Sequence, residues 1–194
     1  MWAEEKIKAY LFENIKEKRV KHILGVAEMS EKLAEFYGES TYKARIAAYI
    51  HDLAKYMPLE AMIRLIKEKG YELTSEDLTM PELLHGLAGA IIGHDLMEID
   101  DENILNAARY HTTGRVNMTL LEKIVFLADY IEPGRSFPGV EELREMAFLD
   151  LDKGVLLAFD STIKHVVNGG KLLHTDTIIS RNYLLQSMKL REEQ

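Results

Sequence analysis

Cysteine is absent from the 194-residue chain, which excludes disulfides, zinc–thiolate sites and thiol nucleophiles. Cations are in the minority: 24 Lys and Arg stand against 32 Asp and Glu, a formal net charge of -8. A protein that grips a nucleic-acid backbone needs a broad basic face, so no nucleic-acid partner is expected. A small polyphosphate stays admissible, because a metal ion and a few local cations outweigh the global field. No apolar run approaches the length of a membrane span, and no membrane partner is expected. The stretch 1–18 is charged throughout and lacks the apolar centre of a signal peptide, so the expected location is cytoplasmic. Proline is also scarce, with 4 copies, and 12 glycines punctuate the chain.

Helix-forming sequence dominates what is there. With 47% hydrophobic and 29% charged residues the chain should be globular, and at this length it can bury roughly 70% of its unfolded surface. One domain over 1–194 is expected, with its working core at about 15–135 and additional C-terminal helices at about 138–190. Ile7, Tyr10, Leu11 and Ile15 have helical spacing within 3–18. His22, Val26, Met29, Leu33 and Phe36 then form one apolar stripe, with Gly38 as a C-cap. A helix starting near Ser40 or Thr41 is predicted to run until just before Pro58. A short one over 59–68 stops at Gly70, 75–81 reads as loop, and 82–92 as a tightly packed helix containing His85, Gly86 and Gly89. Asp100 or Asp101 can cap a helix through Tyr110, with Gly114 beyond its end. Thr119-Leu120-Leu121-Glu122 has capping-box spacing and opens an apolar helix running to Pro133. Further helices are predicted near 140–147, 153–167 and 175–189. No repeat, low-complexity tract or strand is evident, and the predicted fold class is all-α.

The chain is organised around Ile46-Ala47-Ala48-Tyr49-Ile50-His51-Asp52-Leu53-Ala54-Lys55. On a helix His51 and Asp52 point roughly 100° apart, while His51 and Lys55 share a face. The pair can serve one centre only off the edge of the helix, where a carboxylate can bridge two ions. Alone, it reads first as a buried His–Asp hydrogen bond that satisfies both groups. Asp129 sits in Ile124-Val125-Phe126-Leu127-Ala128-Asp129-Tyr130-Ile131, where an unpaired carboxylate costs several kcal/mol on burial. It needs a cation, and no Lys or Arg lies three or four residues away on its helix; a tertiary salt bridge or an exposed stripe would serve. His22, on its apolar stripe, could be an ordinary core histidine. His85 lies between Leu84 and Gly86, and His111 opens His111-Thr112-Thr113-Gly114, whose hydroxyls and free N–H groups could meet an anion. Four histidines and two aspartates form an N/O donor set suited to iron, manganese, cobalt or zinc rather than calcium. His94, His165 and His174 fall outside the pattern and read as structural or exposed.

The ordered series His22, His51-Asp52, His85, His111, Asp129 resembles the metal signature of the HD-domain phosphohydrolases. More narrowly, Arg19-x-x-His22, the His51 to Lys55 run, His111-Thr112-Thr113-Gly114 and Ala128-Asp129-Tyr130-Ile131-Glu132-Pro133-Gly134-Arg135 resemble the YqeK-type bacterial symmetrical diadenosine-tetraphosphate hydrolases. The resemblance covers about 15–190. It implies an HD-domain helical bundle and a di-iron centre. One ion would be held by His22, His51, Asp52 and Asp129, and the other by Asp52, His85 and His111. It also implies hydrolysis of diadenosine tetraphosphate to two ADP.

Such a metal pair activates water near neutral pH and polarises a phosphoryl oxygen, with Asp52 and Lys55 as the expected catalytic residues. Lys55 and Arg135 are the expected phosphate-binding cations. Arg19 and the Thr112-Thr113-Gly114 turn are further substrate-binding candidates, whereas Arg115 reads as ordinary surface charge. Two alternatives stand beside this reading: an HD-type phosphohydrolase acting on another nucleotide, and a metal-containing nucleotide sensor without turnover. Retention of every ligand with Lys55 and Arg135 favours the enzyme. The apolar C-terminal helices offer a surface for a homodimer.

Overall fold

The computed structural model describes residues 1–193, and among these it contains α-helices, one 3-10 turn and no strand. The helices are α1 (Glu4–Asn14), α2 (Glu17–Tyr37), α3 (Thr41–Ile50), α4 (Leu59–Glu68), α5 (Ser75–Thr79), α6 (His85–Met97), α7 (Glu102–Arg109), α8 (Leu120–Ile131), α9 (Val140–Leu149), α10 (Leu151–Asn168) and α11 (Thr175–Glu192). Their ends follow local chemistry. Gly38 closes α2 with φ 73°, a left-handed conformation that costs glycine little. Ser40 Oγ accepts the Lys43 N–H at the start of α3, and Asp101 Oδ1 accepts the Asn103 N–H at the start of α7. Thr119 and Glu122 form the predicted capping box of α8.

Two stretches differ from the sequence reading. The segment read as loop at 75–81 contains α5, opened by a Thr74–Asp77 capping box and followed by a 3-10 turn at Pro81–Leu84. The helix predicted to run towards Pro58 instead ends at Ile50. His51 to Tyr56 coil onward through i→i+3 turns, with Leu53 N–H donating to Ile50 O and Lys55 N–H to Asp52 O. Close approach of α6 explains why irregular backbone is useful there. A Cβ on Gly89 would lie 2.6 Å from Ile50 O, and one on Gly86 would lie 2.6 Å from Arg109 O. The two glycines seat α6 against the C-terminal ends of α3 and α7, which brings His51, His85 and His111 to one place.

The core lies between α2, α3, α7 and α8, with α10 backing α8 and α9 and α11 packed on α10. A satellite core joins α4 to α6 through Met62, Ile66, Leu84, Ala88 and Ile91, together with Ala54 from the turn after His51. No described helix is long and apolar enough to cross a membrane.

Candidate metal centre

Six side chains from five places in the chain converge inside this bundle. His22 comes from the second turn of α2, His51 from the C-cap of α3 and Asp52 from the following turn. His85 opens α6, His111 follows α7, and Asp129 lies near the end of α8. His51, Asp52, His85 and His111 are buried, while His22 and Asp129 reach the surface at one edge.

Asp52 is central. Its Oδ2 lies 3.3 Å from His51 Nε2 and 3.5 Å from His22 Nε2. Its Oδ1 lies 3.2 Å from His85 Nε2 and 3.9 Å from His111 Nε2. Asp129 Oδ1 is 3.0 Å from His22 Nε2. Each carboxylate oxygen of Asp52 thus faces a different pair of rings. Donor atoms group within 4.8 Å twice, as His22, His51 and Asp129, and as His51, Asp52 and His111.

The ring orientations follow from backbone chemistry. His51 Nδ1–H donates to Ala48 O at 2.6 Å, His85 Nδ1–H to Glu82 O at 2.6 Å, and His111 Nδ1–H to Ala108 O at 2.7 Å. All three sit at helix ends, where the carbonyl three residues back is available. A neutral ring bonded this way carries its lone pair on Nε2, so all three lone pairs face inward. His85 Nε2 and His111 Nε2 stand 3.1 Å apart. Two lone pairs that close repel unless a cation lies near both. His22 Nε2, His51 Nε2 and Asp52 Oδ1 are buried without a hydrogen-bond partner, and leaving such groups unpaired costs on the order of 1–3 kcal/mol each. Inward-facing imidazole nitrogens around a shared carboxylate fit a first-row transition metal pair.

Charge is concentrated here. Burial alone would raise the Asp52 carboxyl, but the charge of His51 and the close approach of the His51 and His85 rings hold it far below the usual carboxylate range. Asp129 is also held low: burial opposes this, but the His22 ring beside it and the charges of His51, His111 and Arg135 outweigh it. Burial also opposes charge on His51, but Asp52 and Asp129 overcome it and raise its pKa. Burial dominates at His111, with repulsion from His51 and His85, and lowers it to about 3. His111 is therefore a neutral, ready donor at neutral pH.

Three cations attend the cluster. Arg19 Nη1 donates to Asp52 Oδ2 at 2.6 Å, Arg135 Nη2 to Asp129 Oδ1 at 2.9 Å, and Lys55 Nζ to His85 Nε2 at 3.2 Å. The cation that Asp129 lacks on its own helix is thus supplied by Arg135, from beyond the helix end. Lys55 reaches the cluster through the irregular turn and meets His85 rather than His51, the residue whose helical face it was predicted to share. A cleft of ≈ 730 Å³ opens over His22 and is lined by Lys18, Arg19, Lys21, Tyr56, Glu132 and Arg135, among others.

Other candidates sit elsewhere. Thr112 and Thr113 line a different depression, beside Leu83 and His174. Gly114 is buried against Phe159, whose ring would lie 2.5 Å from a Cβ there. Arg115 clamps the buried Glu122 carboxylate at 2.7–3.1 Å. His94 and His165 are exposed, whereas His174 is buried as the N-cap of α11, where it accepts the Asp176 N–H. Sequence reasoning passed over Glu132, a buried carboxylate 3.2 Å from His22 Nδ1, and the mouth residues Lys18, Lys21 and Tyr56.

The HD domain family profile matches residues 19–134. The symmetrical bis(5'-nucleosyl)-tetraphosphatase of Halalkalibacterium halodurans is 42% identical over 178 residues, spanning 91% of this chain and 94% of that protein. A protein of the same name from Staphylococcus aureus is 41% identical, over 92% of this chain and 93% of its own. The crystal structure of a predicted HD superfamily hydrolase involved in NAD metabolism, from Clostridium acetobutylicum, superimposes with a TM-score of 0.94 at 53% identity. It covers 96% of this chain and 99% of that one.

Proposed function

From the premise that this chain belongs to the HD-domain family, we propose that it hydrolyses diadenosine tetraphosphate symmetrically to two ADP, using a pair of metal ions. The observation that carries this reading is the set of inward-facing, unpartnered Nε2 and Oδ1 atoms around Asp52, beneath a cleft rimmed by Lys18, Arg19, Lys21 and Arg135. The names of the Halalkalibacterium and Staphylococcus relatives supply the substrate.

His22, His51, Asp52 and Asp129 would hold one ion, and Asp52, His85 and His111 the other. We take iron as the metal, on the family resemblance. Bound there, the ions supply Lewis-acid polarisation and an activated water. The protein's own residues do the rest. Asp52 divides its two oxygens between the two sets of rings, and the carbonyls of Ala48, Glu82 and Ala108 lock those rings in the binding tautomer. Arg135 and Arg19 each hold a ligand carboxylate and keep further N–H donors for phosphate. Lys55 sets an ammonium beside His85, where it can neutralise charge gathering on the phosphoryl oxygens.

Water adds to an inner phosphorus, the anhydride P–O bond breaks, and the bridging oxygen leaves with the second ADP. A reaction in oxygen-18 water followed by mass spectrometry tests this: one ADP of each pair should carry label, with no AMP. A majority of ATP plus AMP would overturn it. The Clostridium relative is described as involved in NAD metabolism, so NAD belongs in the same assay. Preferential turnover of NAD would transfer the proposal to that substrate.

A further inference from the structure

His22 differs from the other three histidines. It lies inside α2, where neighbouring backbone carbonyls are already engaged in the helix ladder. The local acceptor that orients His51, His85 and His111 is therefore closed to it. Its Nδ1 instead faces Glu132 Oε1 at 3.2 Å, across 110 residues of sequence.

Glu132 is built into that position. The residue is 5% exposed and caps the C-terminus of α8. Its Oε2 accepts the Gly134 N–H at 2.5 Å. A Cβ on Gly25 would lie 2.6 Å from the same oxygen. Gly25 sits in the interior of α2, three residues after His22, where glycine costs about 1 kcal/mol relative to alanine. That cost makes room for the carboxylate. The turn is fixed from outside by Arg144, which donates to the carbonyls of Ile131 (2.9 Å), Glu132 (2.8 Å) and Arg135 (2.9 Å). The same turn sends Arg135 back to Asp129. One short segment thus governs two neighbouring donor groups, His22 and Asp129.

We infer that Glu132 is a positioning residue for His22. Its carboxylate holds the ring with Nδ1–H outward and Nε2 towards Asp52 and Asp129, and makes that nitrogen a stronger donor to a cation. This rests on the reading of the cluster as a metal centre. It adds a residue that never touches the ion and sets the affinity at the His22 end.

The test compares wild type with Glu132→Gln, Glu132→Ala and Gly25→Ala. The last leaves the carboxylate intact but forces it aside, and because the displaced group is the free end of a side chain, the fold should survive. Competition titration against a chromophoric chelator reads metal affinity, and thermal melting of metal-free protein checks folding. Glu132→Ala and Gly25→Ala should weaken one of the two metal equivalents by roughly 10–100-fold and leave the other near its wild-type value. Glu132→Gln, which keeps an acceptor but loses the charge, should fall between. Folded Glu132→Gln and Gly25→Ala with wild-type affinity for both equivalents would overturn the inference, even if Glu132→Ala did not fold. Wild-type protein that binds no metal would instead remove the metal reading itself.

Discussion

Two polar clusters interrupt this apolar bundle, and they are built in opposite ways. One ties α1 to α3: Glu4 accepts hydrogen bonds from Arg45 Nε at 3.2 Å, Arg45 Nη2 at 3.1 Å and Tyr49 Oη at 3.0 Å, while Arg45 also reaches Glu31. Lys8 adds an ion pair at 3.1 Å. Glu4 finds cations and a hydroxyl within the protein. In the cluster around Asp52, the histidine Nδ1 atoms are bonded outward, while His22 Nε2, His51 Nε2 and Asp52 Oδ1 have no partner. Both clusters hold a carboxylate below its usual range, Glu4 at about 2, mainly through the Arg45 hydrogen bond, and Asp52 lower still. A depressed pKa therefore does not distinguish a strut from a site. The inward-facing orphan atoms do.

Substitutions should separate the two. Asp52→Ala should have the largest effect, lowering turnover by roughly 10³-fold or more, because it removes the shared oxygen donors behind several kcal/mol of charge stabilisation. Steady-state kinetics and elemental analysis on one preparation check it, and full metal content would break the comparison. Next comes Lys55→Ala, expected to lower kcat about 10²-fold with metal occupancy kept, since an ammonium donates to phosphate but cannot ligate a cation. Unchanged kinetics would return Lys55 to the surface. Glu4→Gln should cost about 2 kcal/mol in chemical denaturation and leave activity intact. The sign over pH follows from the lowered Glu4 pKa. Its contribution is complete above the unfolded value of 4.5 and is lost as pH falls from there to about 2. Glu4→Gln should accordingly flatten the acid limb of the stability curve. His165→Ala, at an exposed position, should change neither property by more than ~0.5 kcal/mol.

Much of this was legible in the sequence wherever chemistry is local. Gly38, Asp101 and the Thr119–Glu122 box mark helix ends that the structure shares, because a cap is decided within a few residues. The Thr74–Asp77 box carried the same signal for α5, but five residues give no apolar period to read. The early end of α3 was hidden for another reason: the irregular turn packs under α6, a contact visible in sequence only as two glycines after His85. The six side chains that cluster around Asp52 were legible as polar residues in apolar surroundings. Glu132 was not, because it looked like part of a surface turn. Its signal was the mid-helix Gly25, a local rule broken one turn after a histidine. Arg135 was read as a phosphate ligand, and its ion pair with Asp129 required knowing that the chain folds back on α8.

Metal content per chain bears most directly on the central claim that the orphan atoms around Asp52 are a metal centre while the Glu4 network is not. Protein expressed with supplied iron, dialysed exhaustively and analysed by elemental mass spectrometry should carry about two ions per chain in wild type and in Glu4→Gln. Asp52→Ala should carry almost none. An active wild-type protein free of metal, or equal metal in wild type and Asp52→Ala, would contradict the account.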